Sequence, residues 1–131
     1  MQRPLHMLPL LALAAALCGG PAAAASDPAL DCDNATTQAD INQCAGQDYQ
    51  RADAELIQLY AELMPRLDKT RQTMARTAQR VWLRYRDLQC SYEAAAYEGG
   101  SMEFMVHNAC LARITSQRND TLTDMLDQIN P

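Results

Sequence analysis

Close-spaced metal ligands are missing from this chain: there is no CxxC or HxxxH pair, and the four cysteines beyond Cys18 stand 12, 46 and 20 residues apart. That excludes the usual structural zinc sites. Histidine is scarce as well, with His6 near the start and His107 near the end. His107 has no nucleophile or carboxylate at an obviously partnered spacing; Ser-His-Asp or Cys-His groups can come from distant positions, but one histidine is thin evidence for either. The chain reads as a non-enzyme without a cofactor. No apolar run approaches the roughly 20 residues that span a bilayer; the longest, Met7 to Cys18, has 12. A basic tail is absent too, and the formal net charge is −5. Nucleic acid, which is bound by neutralising phosphates with Lys and Arg, is therefore disfavoured as a partner.

What the amino terminus does hold is a single cation, Arg3, then the Met7–Cys18 run, then Gly19, Gly20 and Pro21. This is the pattern of an export signal, and Ala23 and Ala25 satisfy an A-x-A rule for cleavage before Ser26. Residues 1–25 are expected to be a signal peptide and 26–131 the mature domain. Leu17 stands where a lipoprotein signal wants a small side chain, so acylation of Cys18 is the weaker reading. Cleavage leaves Cys32, Cys44, Cys90 and Cys110, an even number in an exported chain, which implies two disulfides. The expected location is periplasmic or secreted, in soluble form.

Periodicity divides the mature chain into three helices. Thr37 with Asp40 forms a start signal, and Ile41, Ala45, Tyr49, Ala52, Leu56, Leu59 and Leu63 follow as an apolar seam. Pro65 ends or kinks that helix. Asp68 or Thr70 caps a second helix running to about Tyr97, with Met74, Ala78, Val81, Tyr85, Leu88, Tyr92 and Ala95 as its seam. Gly99 and Gly100 break it. Ser101 is the expected cap of a third helix carrying Leu111, Ile114, Leu122, Met125 and Ile129. Short connections force alternating directions, which gives an all-α, up-down-up bundle with the second helix antiparallel between the other two. Cys90 and Cys110 then lie level across the glycine turn, which favours their pairing and leaves Cys32 with Cys44. Cys44 falls near the same end, so a swapped pairing stays open.

Charge follows the helices. From Ser26 to Glu62 eight acids face Arg51 alone; from Leu63 to Cys90 seven bases face two acids; from Ser91 onward six acids face two bases. Acidic helices flanking a basic one offset it within the bundle. An arginine in the third seam, Arg118, needs an acid if it is buried. Asp53, about as far along the first helix as Arg118 is along the third, is the expected partner in a structural ion pair. Met102, Met105 and His107 are soft ligands on one segment, and with Phe104 beside a turn they read as gap-filling core.

Cys44-Ala45, Ala52-Asp53 with Tyr60, the block AQRVWLRYRDLQC from Ala78 to Cys90, Gly99-Gly100-Ser101, Cys110, and Thr115 to Arg118 with Leu122 together resemble the N-terminal domain of the LprI-type lysozyme inhibitors. Ile57 departs from that pattern, which usually has Asn after Leu, and Cys18 lacks the lipoprotein signal of the namesake. The resemblance implies a disulfide-bonded helical domain outside the cytoplasm that inhibits lysozyme by direct binding. A basic lysozyme is then the expected partner, steered by the acidic charge. The alternative is a periplasmic interaction or structural module with another ligand. An inhibitor must present a projecting segment, and the turn bearing Glu98, Ser101, Glu103 and Phe104 is the expected partner-binding region.

Overall fold

The computed structural model describes residues 30–129, so the expected signal peptide, its expected cleavage point and Cys18 lie outside the described residues. Three long helices account for most of that span: α1 (Gln38–Leu63), α2 (Lys69–Ala94) and α3 (Glu103–Ile129). Single 3-10 turns lie at Cys32–Asn34, Met64–Arg66 and Ala95–Tyr97.

Local chemistry sets the helix ends. The Thr37 hydroxyl accepts the Asp40 amide at 3.1 Å and donates to the Asp40 carboxylate at 2.7 Å. Both groups are thereby satisfied where the first amides of a helix have no internal acceptor. Pro65 sits in the tight turn that follows α1, and Asp68 caps α2 by accepting from the Arg71 amide at 3.0 Å. Between α2 and α3 the chain reverses at Gly99, whose φ of +71° is a left-handed conformation that other residues adopt at a cost. Glu103, rather than Ser101, ties down this turn: its carboxylate accepts the Gly99 amide at 2.8 Å.

The two disulfides join Cys32 to Cys44 and Cys90 to Cys110. The first anchors the lead-in to the opening turns of α1. The second crosses from α2 to α3 and is wholly buried at Cys90.

The bundle is centred on α3, not on α2. Helix α3 packs along both α1 and α2, whereas α1 and α2 hardly meet through their backbones. Leu56 and Leu63 of α1 interlock with Leu122 and Leu126 of α3 in one core cluster. Cys90, Cys110, Leu111 and Ile114 form the other, and Trp82 packs against both. The expected seam of α1 faces the core, with Ala45, Ala52, Leu56 and Leu63 buried.

The expected seam of α2 does not. Met74, Val81, Tyr85, Leu88 and Tyr92 are between 54% and 77% exposed, and the face turned inward is Gln79, Arg86, Cys90 and Ala94, beside half-buried Trp82. The disulfide supplies the reason. Cys90 must point at α3 to reach Cys110, and at 100° per residue the apolar row from Met74 to Tyr92 falls on the opposite side.

Candidate functional site

Two regions hold the residues singled out by sequence. The first is the α2–α3 turn. Phe104, on the first turn of α3, is 55% exposed, and its ring edge lies close to Gly46 of α1, where an added Cβ would sit 3.5 Å from it. Glu98 and Ser101 are exposed and Glu103 is half-buried. The carbonyl of Ser101 accepts a hydrogen bond from the Asn42 side chain at 3.0 Å, which fastens the turn to α1. Beside it is a cavity of about 620 Å³, lined by Ser91, Ala94, Glu98, Glu103, Phe104 and His107 among others. Glu98, Glu103 and Phe104 are thus brought together on one concave surface. His107 faces the same cavity, while Met105 accepts a long contact from Gln38 at 3.9 Å, in keeping with a packing role.

The second region is a network of polar side chains inside the bundle, and it corrects the expected ion pair. Asp53 bonds Arg86, not Arg118: Arg86 Nη1 lies 3.1 Å from Asp53 Oδ1. The same guanidinium donates to Asp87 at 3.0 Å and to the fully buried Thr115 hydroxyl at 3.3 Å. The rings of Tyr49 and Trp82 flank it at 5.4 and 5.3 Å. Arg118 instead donates from Nε to Gln79 at 3.1 Å and lies 5.8 Å from the centre of the Trp82 ring. Among the described residues no carboxylate comes within 4.0 Å of Arg118.

Electrostatics separate the two arginines. Burial acts to lower both. At Arg86 it is outweighed by the Asp87 hydrogen bond and charge, with Tyr49 and Asp53 adding to them, and the net shift is upward. At Arg118 burial dominates against a small opposing effect of Tyr60, and the net shift is downward. This network ties the three helices of the bundle together.

Asn119 completes the buried polar set. Its amide nitrogen donates to the Ala52 carbonyl at 2.9 Å and to Glu55 at 3.0 Å, joining α3 to α1, while its Oδ1 is buried without a partner. An open cavity of about 530 Å³ between α1 and α2 is lined by Tyr49, Asp53, Ile57, Tyr60, Gln79 and Arg86 among others.

Sequence reasoning counted Gln79, Arg86 and Thr115 among the residues of the family resemblance but missed that they face inward, where Arg86 bonds Asp53 and Thr115 and Gln79 bonds Arg118. A signal was present. Arg86 precedes Cys90 by four residues, so once Cys90 is tied to α3, Arg86, Trp82 and Gln79 must share its face.

The comparisons fit this architecture. A family model described as "Lysozyme inhibitor LprI" matches residues 32–122, from Cys32 through α1 and α2 and into the later turns of α3. The chain belongs to the LprI family. An uncharacterized protein of Rhizobium meliloti (strain 1021) is 36% identical to it over 129 residues, covering 88% of this chain and 93% of that protein. No solved structure matches. The LprI match contains both disulfides, the Arg86 network and the α2–α3 turn. Disulfides persist in oxidising compartments, so the chain is built for a location outside a reducing cytoplasm. Among the described residues no helix is long and apolar enough to cross a membrane, and no group of three His, Cys, Asp or Glu is placed to hold a metal ion.

Proposed function

We propose that this LprI-family domain is exported, as a soluble periplasmic or secreted protein, and inhibits a basic lysozyme by direct binding through the α2–α3 turn. The observation that carries the reading is the turn itself. Phe104 offers an exposed apolar tip, Glu98 places negative charge beside it, and Gly99 with the Glu103 carboxylate and Asn42 holds the loop in one shape. A pre-shaped turn loses little freedom on docking, which favours tight binding. The family supplies lysozyme as the partner. Loss of Arg3 with the leader would take the net charge from −5 to −6, a field that steers a basic protein toward the domain.

Such an inhibitor acts by occlusion and needs no chemistry of its own. Glu103 serves the turn through Gly99, so the contact falls to Glu98 and Phe104.

The test is a muramidase assay with purified oxidised protein. Lysozyme should be slowed at micromolar inhibitor, and less so as salt rises, since exposed charges are screened over roughly 10 Å at 0.1 M. Phe104→Ala should weaken inhibition at every ionic strength and Glu98→Lys chiefly at low salt. If the wild-type protein leaves the enzyme untouched, the inhibitor reading fails for this member and an envelope interaction module replaces it.

A further inference from the structure

The apolar row on α2 is unused by the bundle. Met74, Ala78, Val81, Tyr85, Leu88 and Tyr92 alternate at spacings of four and three over about 27 Å of helix, at 1.5 Å per residue. All six are exposed. A seam of this spacing is the narrow stripe of a two-stranded coiled coil, where side chains of one helix seat between those of another. It is narrower than the broad apolar face of a helix that lies in a membrane surface.

Charge runs along the same helix as a gradient. The first part carries Lys69, Arg71, Arg76, Arg80 and Arg84, and of these only Arg71 has an acidic partner within 4.0 Å among the described residues, its own capping residue Asp68. The last part carries Asp87 and, just beyond the helix, Glu98; exposed bases are absent there. An antiparallel neighbour with the same gradient is complementary to it. A parallel one is not.

We infer that this face binds a second copy of the chain, α2 against α2, antiparallel about a twofold axis near Leu83. The register follows from the seam. Tyr85 meets the partner's Val81, Ala78 meets the partner's Leu88, and Tyr92 meets the partner's Met74, so that in each pair a larger side chain faces a smaller or more flexible one. Each pair occurs twice. Arg80 and Asp87 lie about 120–140° round the helix from the seam and add only long-range attraction between opposite ends of the pair, while Arg84 lies near its own mate at the rim, where both guanidiniums reach solvent.

The exposed apolar side chains amount to roughly 600 Å² per copy, or about 1,200 Å² for a pair, at the lower edge of specific interfaces. The dimer is therefore reversible. It leaves the two Phe104 turns at opposite ends, facing away from each other.

Sedimentation velocity from about 1 µM to about 500 µM should show the mass rising from one chain to two across the range in which interfaces of this size associate. Val81→Glu combined with Leu88→Glu should give a monomer throughout with unchanged helical circular dichroism, because neither side chain touches the core. Register is read by cysteine cross-linking of otherwise oxidised protein. Arg84→Cys should link to itself in the antiparallel dimer; Met74→Cys should not, since its own mate lies far along the helix. Self-linking of Met74→Cys in preference to Arg84→Cys overturns the antiparallel pairing. A wild-type protein that stays monomeric over the whole range overturns the proposal, and monomer binding to phosphatidylglycerol vesicles would then assign the face to a membrane.

Discussion

Truncating Arg86 to alanine tests the central feature of the bundle, the guanidinium held between two helices and two rings. Its side chain is 7% exposed, whereas those of Asp53 and Asp87 are 35% and 62% exposed. The carboxylates left behind can therefore rehydrate, and the full penalty of about 3–5 kcal/mol for stranding a buried charge does not apply to them. What is lost is the Thr115 hydrogen bond, at about 1 kcal/mol, the contacts with Tyr49 and Trp82, at about 1 kcal/mol together, and the packing of the aliphatic stem. Arg86→Ala should cost about 3 kcal/mol in urea unfolding followed by circular dichroism. Arg86→Met, which keeps the stem, should cost about 1–2 kcal/mol. Asp53→Ala leaves the buried cation with Asp87 alone and should also cost about 1–2 kcal/mol. A double-mutant cycle between Arg86 and Asp53 should give a coupling of about 1 kcal/mol, while Asp53 and Arg118 should be additive within about 0.5 kcal/mol. Coupling of Asp53 to Arg118 with none to Arg86 would show that the helices meet in a different register, and would restore the ion pair suggested by sequence position alone.

Replacing Cys90 and Cys110 together by alanine reopens a separation of 20 residues, which should lower stability by about 3 kcal/mol in the chain-entropy model, with a further cavity penalty because both sulfurs are buried; a midpoint unchanged in denaturant would refute this. Gly99→Ala should cost about 1 kcal/mol, since φ of +71° is strained for any residue with a Cβ although nothing crowds the site, and Gly99→Asn should be milder. Glu93 takes hydrogen bonds from Gln89 and Arg113, which, with the charge of Arg113, hold its carboxyl below the ordinary value of 4.5. A folded-state pKa below the unfolded one contributes stability above the ordinary value, and loses it as pH falls through the folded value. Glu93→Gln should thus flatten the acid limb of a stability-versus-pH curve, and an unaltered limb would show that the bridge is not maintained in solution.

Much of this fold was legible in one-dimensional signals. The Thr37 and Asp68 caps, the Pro65 stop and the Gly99 reversal each act within a few residues, so their chemistry can be read without tertiary context. The α1 seam was equally plain, because only one apolar row exists on that helix. Helix α2 carries two rows, and hydrophobicity alone selected the wrong one. The row through Gln79, Trp82, Arg86 and Cys90 is polar by composition, yet it is buried because the disulfide fixes rotation about the helix axis and because Asp53, Thr115, Arg118 and the aromatic rings satisfy its polar atoms. Placing α3 at the centre depended on the same rotation. The turn residues were legible as a group, but the division of labour between Glu98 and Glu103 was not, since it rests on a single carboxylate contact to the Gly99 amide.

Membership in the LprI family speaks unequally about different parts of this molecule. The residues that carried the resemblance, among them Asp53, Gln79, Trp82, Arg86, Cys90, Thr115 and Arg118, point mostly inward and hold the bundle together. Changing them alters stability first and binding only through it. Partner choice is set instead by exposed residues, and the chain exposes two unlike surfaces: a pre-shaped, acidic turn with an aromatic tip, and an apolar seam with a charge gradient along α2. They lie on different parts of the molecule and have different electrostatics. Substitution of Val81 and Leu88 should therefore leave the effect of Phe104→Ala on lysozyme intact, and substitution of Phe104 should leave the mass distribution intact. Independence of the two readouts is what separates a scaffold that carries two interfaces from one whose single interface had been described twice.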